Sequence, residues 1–200
     1  ERGIHPDAVD YLVQRGDLYA NRHGSAVFVH RDLAGAVKGT TVRGTRGSFK
    51  QSQGDKKSAW FTYGVPLAEA SSVVLCESPI DALSYATIKR VPDGTCILSL
   101  GGHSMSTELT EILKKKRVVI ALDNPELESS SNAQHDGRRA LKRIREQLPL
   151  VTLEVPDAKD WNEQLTRERD QRAHNERQAR ELDRQQQPGV VGPVVSCRAP

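Results

Sequence analysis

Three acidic side chains follow short apolar runs of the sequence, at positions where a carboxylate can reach a bound ligand. Glu77 comes directly after the run 73–76, Asp123 ends the run 118–122, and Asp160 lies just beyond 151–155. In an open parallel sheet, ligands bind outside the carboxyl ends of the strands, so the first two acids should meet at one edge. Two carboxylates there make a site of hard oxygen ligands suited to Mg²⁺. Such an ion can polarise a phosphoryl oxygen and activate an attacking hydroxyl or water, so we predict Glu77 and Asp123 as metal ligands and Asp160 as a third acid near the metal.

The same acids also have structural explanations, which the sequence leaves open. Residues 78–81 have the pattern of a helix N-terminus, but a helix does not need an acid just before its cap, which sets Glu77 apart. Asp123 could instead cap the turn that follows it. Asp160 and Glu163 have the spacing of a capping box, so Asp160 has a structural explanation of equal standing.

Positive charge is concentrated ahead of this acidic region. Between Arg31 and Trp60 the sequence has seven Lys or Arg residues and two acids. The Gly- and Ser-rich part of this stretch, 44–57, is predicted to be a basic loop whose small residues let the backbone approach a phosphate chain. The candidate nucleic-acid-binding residues in and beside this loop are Arg43, Arg46, Lys50, Lys56 and Lys57. An ordinary solvated loop is the alternative.

The elements that must position these residues alternate along the chain. From about residue 66, short apolar runs alternate with helical patterns over 79–91, 107–116 and 137–148. This alternation predicts an α/β fold with a Rossmann-like parallel sheet. Before it, a helix over 5–15 and short strand-like runs predict a small α+β domain containing an antiparallel meander.

We therefore expect three parts along the chain. These are a small α+β domain with the basic loop over 1–65, the α/β domain over 66–165, and a polar segment over 166–200. From about 160 to 187 the sequence is rich in Arg, Glu and Gln with almost no large apolar residue. That stretch is expected to be either an exposed helix or disordered.

Composition limits the partners and the cellular compartment expected for the protein. The 200 residues carry a net charge of +3, and the aromatic content of 4% argues against a base-stacking surface rich in aromatic side chains. No apolar run approaches the ~20 residues of a membrane span, so no membrane partner is expected. Three cysteines without a C-x-x-C pair favour a reducing cytoplasm. The sequence starts with Glu1 rather than Met, which favours a piece of a larger protein.

Several segments together resemble the Toprim domain, which is shared by bacterial primases, type IA and II topoisomerases and some nucleases. The segments 77–84 (ESPIDALS), 98–102 (LSLGG) and 159–163 (KDWNE) look most like the primase-type branch found in plasmid and mobile-element proteins. The upstream part, with 42–45 (VRGT) among its matching residues, resembles the uncharacterised domain that often precedes Toprim in those proteins. The resemblance covers about residues 1–165.

This resemblance implies that the chain binds Mg²⁺ or Mn²⁺ and acts on the phosphodiester bonds of nucleic acid, DNA more than RNA. It implies that Glu77 is a metal ligand or general acid/base, that Asp123 is a metal ligand, and that Asp160 lies in the third acidic motif. It also implies a primase-like, nucleotidyl-transferring module of a plasmid replication or mobilisation protein, with the flanking domains of that protein as partners. A nuclease of the same fold is an alternative, and the oligomeric state is left open.

One position departs from the family pattern. The family expects a second acid two residues after Asp123, where this sequence has Pro125, and 124–135 then looks like an insertion. Asp136, Glu126 or Glu128 could replace the missing acid. Equally, the metal site could be weakened, leaving a degenerate Toprim domain that binds nucleic acid or a protein partner without turnover. The sequence therefore leaves open whether the chain is an enzyme.

Overall fold

The computed structural model describes residues 2–55, 57–89, 91–102, 104–148 and 150–186. It divides into two compact units, the first ending at Thr166 and the second beginning at Arg167. All strands of the described ranges lie in the first unit. None of the described helices is both long and apolar enough to cross a bilayer.

The N-terminal part of the first unit is one helix and a four-stranded antiparallel sheet. Its elements are α1 (Pro6–Gln14), β1 (Leu18–Ala20), β2 (Ala26–Arg31), β3 (Val37–Arg43) and β4 (Lys50–Gly54). The strands are in the order β1-β2-β3-β4, so each pairs with its neighbour in sequence, which confirms the predicted meander.

The prediction that 44–57 is entirely a loop was wrong, because residues 50–54 form β4. The turn before it is closed by a hydrogen bond from the Gly44 N–H to the Phe49 carbonyl, at 2.9 Å. β4 is an edge strand with the sequence KQSQG, and its side chains are mostly exposed. Such a strand has no apolar alternation to reveal it, since it is held by backbone pairing and not by burial.

The second sheet of this unit has five strands in the order β5-β7-β6-β8-β9. They are β5 (Phe61–Gly64), β6 (Ser72–Cys76), β7 (Thr95–Ser99), β8 (Arg117–Ile120) and β9 (Val151–Leu153). β6, β7, β8 and β9 are all parallel to one another, as the alternation predicts. β5 is different, because it precedes the first βα unit and pairs antiparallel with β7.

The helices that cover and flank this sheet follow its strands in sequence. They are α2 (Pro79–Ile88), α3 (Thr107–Leu113), α4 (Ser131–Gln147) and α5 (Trp161–Gln186), with a 3₁₀ turn at Pro125–Leu127. α4 starts six residues before the predicted 137, because Ser130 caps it and accepts a hydrogen bond from the Ala133 N–H. Residues 161–186 form a helix, and its side chains from 169 to 183 are exposed.

Both faces of the second sheet are buried. One face packs Leu75 and Ile120 against Leu109 of α3 and Ile144 of α4. The opposite face packs α2, α1, the N-terminal sheet and the beginning of α5, and there Phe28 of β2 meets Phe61 of β5 edge to face at 5.4 Å. Burial on both faces explains why the parallel strands are continuous apolar runs. Polar residues follow the strands at the carboxyl-terminal edge of the sheet.

Candidate metal centre and nucleic-acid groove

Glu77 lies at the carboxyl end of a buried parallel strand. β6 ends at Cys76, and Ser78 is the N-cap of α2, so Glu77 is the single residue between strand and helix cap. The Ser99 hydroxyl, at the end of the neighbouring strand β7, donates a hydrogen bond to the Glu77 carbonyl at 3.2 Å. This bond holds the Glu77 backbone at the sheet edge.

Asp123 comes to the same edge from β8. The pairing of β8 with β6 continues one residue beyond the strand, through a 2.8 Å hydrogen bond from the Ala121 N–H to the Leu75 carbonyl. Glu77 and Asp123 line one small pocket of about 50 Å³, together with Pro125, Glu128 and Gly137. The structure thus brings the two acids to one pocket, and their role as metal ligands stays a prediction.

Asp160 lies beside this pocket at the start of α5. Two hydrogen bonds attach its segment to the end of β8: the Trp161 indole N–H donates to the Ala121 carbonyl at 2.9 Å, and the Asn124 N–H donates to the Lys159 carbonyl at 2.8 Å. One Asp160 carboxylate oxygen accepts from the Glu163 N–H at 2.7 Å, so the capping contact is present. Its function near a metal stays a prediction.

Two acids at this edge, Asp123 and Asp81, have raised pKa values. Burial, followed by the charges of Asp81, Glu77, Asp160 and Glu128, raises the pKa of Asp123 to about 9. Asp81, in the first turn of α2, is also buried, and its pKa is raised to about 6 by burial and by Asp160 and Glu77, against the lowering effect of a hydrogen bond from Ser78. The edge therefore gathers several carboxyl groups whose burial and mutual repulsion disfavour the ionised form of Asp123 and Asp81.

The donor set at this edge fits a divalent cation. Asp123 Oδ1 is fully buried and has no hydrogen-bond partner among the described atoms, which is costly for a carboxylate unless a cation or a proton binds there. Carboxylate oxygens are the ligands that Mg²⁺ and Mn²⁺ prefer. Within the described ranges, no three His, Cys, Asp or Glu side chains already form a metal-binding group. An ion held by three carboxylates would therefore need the two acids of the pocket and a third acidic side chain that changes its conformation.

Asp81 is the member of the acidic group that sequence reasoning missed. Its spacing from Ser78 predicts a helix cap, and that contact exists: the Asp81 N–H donates to the Ser78 hydroxyl at 3.3 Å, and the hydroxyl donates back to the Asp81 carboxylate. The cap explains the residue locally, so nothing in the sequence indicated that its carboxylate is buried within reach of Asp160 and Glu77.

The segment that replaces the family's second acid is structured. Pro125 is buried in the pocket, and a side chain at Gly137 would place its Cβ 2.9 Å from the Pro125 Cβ, so glycine is needed there. Of the three acids that could replace the missing one, Glu126 is exposed and bound to Arg138, and Asp136 is exposed. Glu128 alone of the three lines the pocket.

The basic residues are divided between the two ends of the β3–β4 hairpin. Arg43 and Arg46 line a groove of about 690 Å³ together with Arg2, over an apolar floor that includes Phe28 and Ile80. No acid is among the described residues that line this groove. It combines positive charge with an apolar surface, the combination that suits a nucleic-acid strand.

The lysines of the basic stretch do not line that groove. Lys50 pairs with Arg43 in the register of the hairpin, so it lies at the end that carries the groove arginines. Lys57 comes shortly after β4 and so lies at the opposite end of the hairpin. Lys56 lies outside the described residues. Their predicted nucleic-acid contacts stay predictions.

Two family models match the chain in sequence. Residues 1–67 match a family described as a protein of unknown function (DUF3991), and residues 74–165 match the family described as Toprim-like. A search of curated proteins found no match.

The chain is similar in fold to solved structures of primases and of a complex that contains primase domains. The chain is 19% identical to the primase fragment of the bacteriophage T7 primase-helicase protein, with a TM-score of 0.54 and coverage of 87% of this chain and 71% of the other. A chain in the bacteriophage T7 complex of lagging-strand DNA polymerase with primase domains of two gp4 subunits matches at 18% identity and a TM-score of 0.55, covering 87% and 86%. The DnaG catalytic core matches at 20% identity and a TM-score of 0.51, covering 82% and 57%. These likenesses show a shared fold.

Proposed function

We propose that the chain, whose residues 74–165 match the Toprim-like family, is a primase-like module that transfers nucleotidyl groups on nucleic acid with a divalent metal. The observation that carries the proposal is the pocket shared by Glu77 and Asp123, in which one carboxylate oxygen of Asp123 is buried without a partner. A catalytic site of this class needs carboxylates converging at the edge of a sheet, and this edge supplies them.

Glu77 and Asp123 would hold Mg²⁺ or Mn²⁺, with Asp160 as a nearby acid. The bound ion would polarise a phosphoryl oxygen and favour attack by a hydroxyl group. Glu77 is half-buried at the same edge, and its carboxyl group would be the general acid or base. Asp81 and Asp160 add negative charge that favours a cation at this edge.

The groove beside Arg2, Arg43 and Arg46 would hold the nucleic-acid strand. Three guanidinium groups suit phosphates, and the apolar floor under them suits bases or sugars. Ile80 of this floor belongs to the first turn of α2, three residues after Glu77, so the groove begins close to the acidic edge. We propose DNA as the strand and a plasmid replication or mobilisation protein, with flanking domains, as the setting.

The test of catalysis compares two glutamate variants. Glu77→Gln should abolish primer synthesis or strand cleavage on labelled DNA in the presence of Mg²⁺ or Mn²⁺ while keeping DNA affinity. Glu126→Gln, an exposed acid bound to Arg138, is the matched control and should keep full activity. Turnover by Glu77→Gln equal to that of the unmodified chain would remove this acid from the mechanism. Reactions with and without nucleotides distinguish primer synthesis from cleavage by a nuclease.

The test of the groove uses two arginine variants in a DNA-binding titration. Arg46→Ala should weaken binding of labelled single-stranded DNA and reduce the salt dependence of affinity by about one ion. Arg139→Ala, an exposed arginine on α4, is the matched control and should bind normally. Equal affinities of the two variants would argue against the groove as the strand site.

A second candidate function is nucleic-acid or protein binding without turnover. Pro125 stands where the family has an acid, and the described side chains include no ready three-residue metal group. A titration with Mn²⁺ discriminates the two functions, because a binding module should show no affinity near millimolar concentration. In that case Glu77→Gln would leave the affinity of the chain for nucleic acid unchanged.

A further inference from the structure

The 3₁₀ turn after Asp123 places an acid where the family pattern lacks one. In a 3₁₀ helix, side chains three residues apart lie above one another. Pro125 begins this turn and Glu128 caps its end, so the two side chains share one side of it. Both line the acidic pocket, whereas Glu126 is exposed and Leu127 is half exposed. The turn therefore returns a carboxylate to the side of the pocket that Pro125 occupies.

Two contacts hold Glu128 in this position. The Gln134 side-chain amide of α4 donates to the Glu128 carbonyl at 3.0 Å, which fixes the backbone. The Lys159 ammonium lies 3.3 Å from the Glu128 carboxylate, whose side chain is only 17% exposed. The Lys159 backbone is attached to the end of the β8 segment through Asn124, so this lysine is positioned by the same contacts that bring Asp160 to the edge.

We propose that Glu128 is the third carboxylate of the metal centre, in place of the acid that is missing at Pro125, and that Lys159 is its internal counter-ion. This inference rests on the proposed function. The ammonium of Lys159 neutralises Glu128 in the structure, and a cation at the pocket would compete with it for the same oxygen. Rotation of the Glu128 side chain away from Lys159 and toward Asp123 would supply the third ligand. The described side chains do not already form a three-residue group that could hold a metal ion.

The experiment is a calorimetric Mn²⁺ titration of the full chain and five variants, one of which is Glu77→Gln. Glu128→Gln should weaken Mn²⁺ binding at least about tenfold, since ligand charge sets affinity at such sites. Glu126→Gln is the matched control, two residues away and outside the pocket, and should bind as the unmodified chain does. Lys159→Gln should strengthen binding, because it removes the competing ammonium. In the double variant with Glu128→Gln, Lys159→Gln should no longer strengthen Mn²⁺ binding. A purely structural role of Glu128 would not produce this dependence of one substitution on the other.

The outcomes separate this inference from the proposed function. If Glu77→Gln weakens Mn²⁺ binding but Glu128→Gln binds within twofold of the unmodified chain, Glu128 is not a ligand and the function survives. If the unmodified chain does not bind Mn²⁺, both fail. Should Glu128→Gln not fold, as judged by circular dichroism, Lys159→Gln alone decides, and an affinity equal to that of the unmodified chain overturns the proposal.

Discussion

Replacing Asp123 tests the electrostatics of the acidic pocket most directly. The pKa of Asp123 is raised to about 9 in the folded chain, whereas an unperturbed Asp titrates at about 3.9. Between these pH values the folded protein holds a proton on Asp123 that the unfolded chain has lost. By linkage, the free energy of unfolding therefore falls as pH rises, by up to about 1.4 kcal/mol per pH unit from this residue.

Asp123→Asn cannot ionise, so its stability should lack this dependence. The pKa of Asp81, raised to about 6, makes a similar contribution in both proteins at lower pH, so the comparison is made above pH 6. From pH 6 to pH 8, Asp123→Asn should gain up to about 3 kcal/mol over the unmodified chain.

Urea denaturation at pH 6, 7 and 8, in buffer containing a chelator, measures the difference. Glu126→Gln is the control: a hydrogen bond from Arg138 lowers the pKa of Glu126, so this residue is ionised in both states across the range and its removal should leave the pH slope unchanged. If the Asp123→Asn stabilities run parallel to those of the unmodified chain, Asp123 is not a desolvated acid and the argument from its raised pKa is refuted.

Three further predictions follow from contacts around the site. Gly137→Ala should lower the free energy of unfolding by about 1–3 kcal/mol, because the alanine Cβ would lie 2.9 Å from the Pro125 Cβ. This cost should exceed the benefit of alanine's higher helix propensity. Chemical denaturation that shows a gain in stability would contradict the prediction. Trp161→Phe should cost about 1–3 kcal/mol in the same assay, since the buried Ala121 carbonyl loses its 2.9 Å hydrogen bond; an unchanged midpoint would show that the bond contributes nothing. Affinity for single-stranded DNA should fall about 20-fold between ~50 and ~200 mM salt if the three arginines of the groove neutralise phosphates. Fluorescence anisotropy measures this, and an affinity that does not change with salt would exclude phosphate contacts by the groove.

The local pattern of the sequence was sufficient for the fold class. Runs such as 73–76 and 118–122 are apolar throughout because both faces of their strands are buried, and the helices between them have one apolar side. The resemblance to the Toprim domain and to the domain before it is shown by the two family models. Polar strands lack this signal, which is why β4 was missed.

The placement of acids after strands was also visible in the sequence, and it brought Glu77 and Asp123 together as predicted. In parallel strands, the residue after each strand comes to the same sheet edge, so order along the chain is enough to predict their proximity. The boundaries 1–65, 66–165 and 166–200 stay predictions, although β5, within the first of these ranges, pairs in the second sheet.

Tertiary structure decided which other acids belong to the pocket. Glu126, Glu128 and Asp136 were equivalent candidates in the sequence, and only the direction of one 3₁₀ turn brings Glu128 to the pocket. Likewise, the cap at Asp81 gives no sign that its carboxylate is buried near Asp160. Local pattern determines the type of each element because it reflects periodic burial, whereas the neighbours of a side chain depend on how distant segments pack, and no short stretch of sequence contains that information.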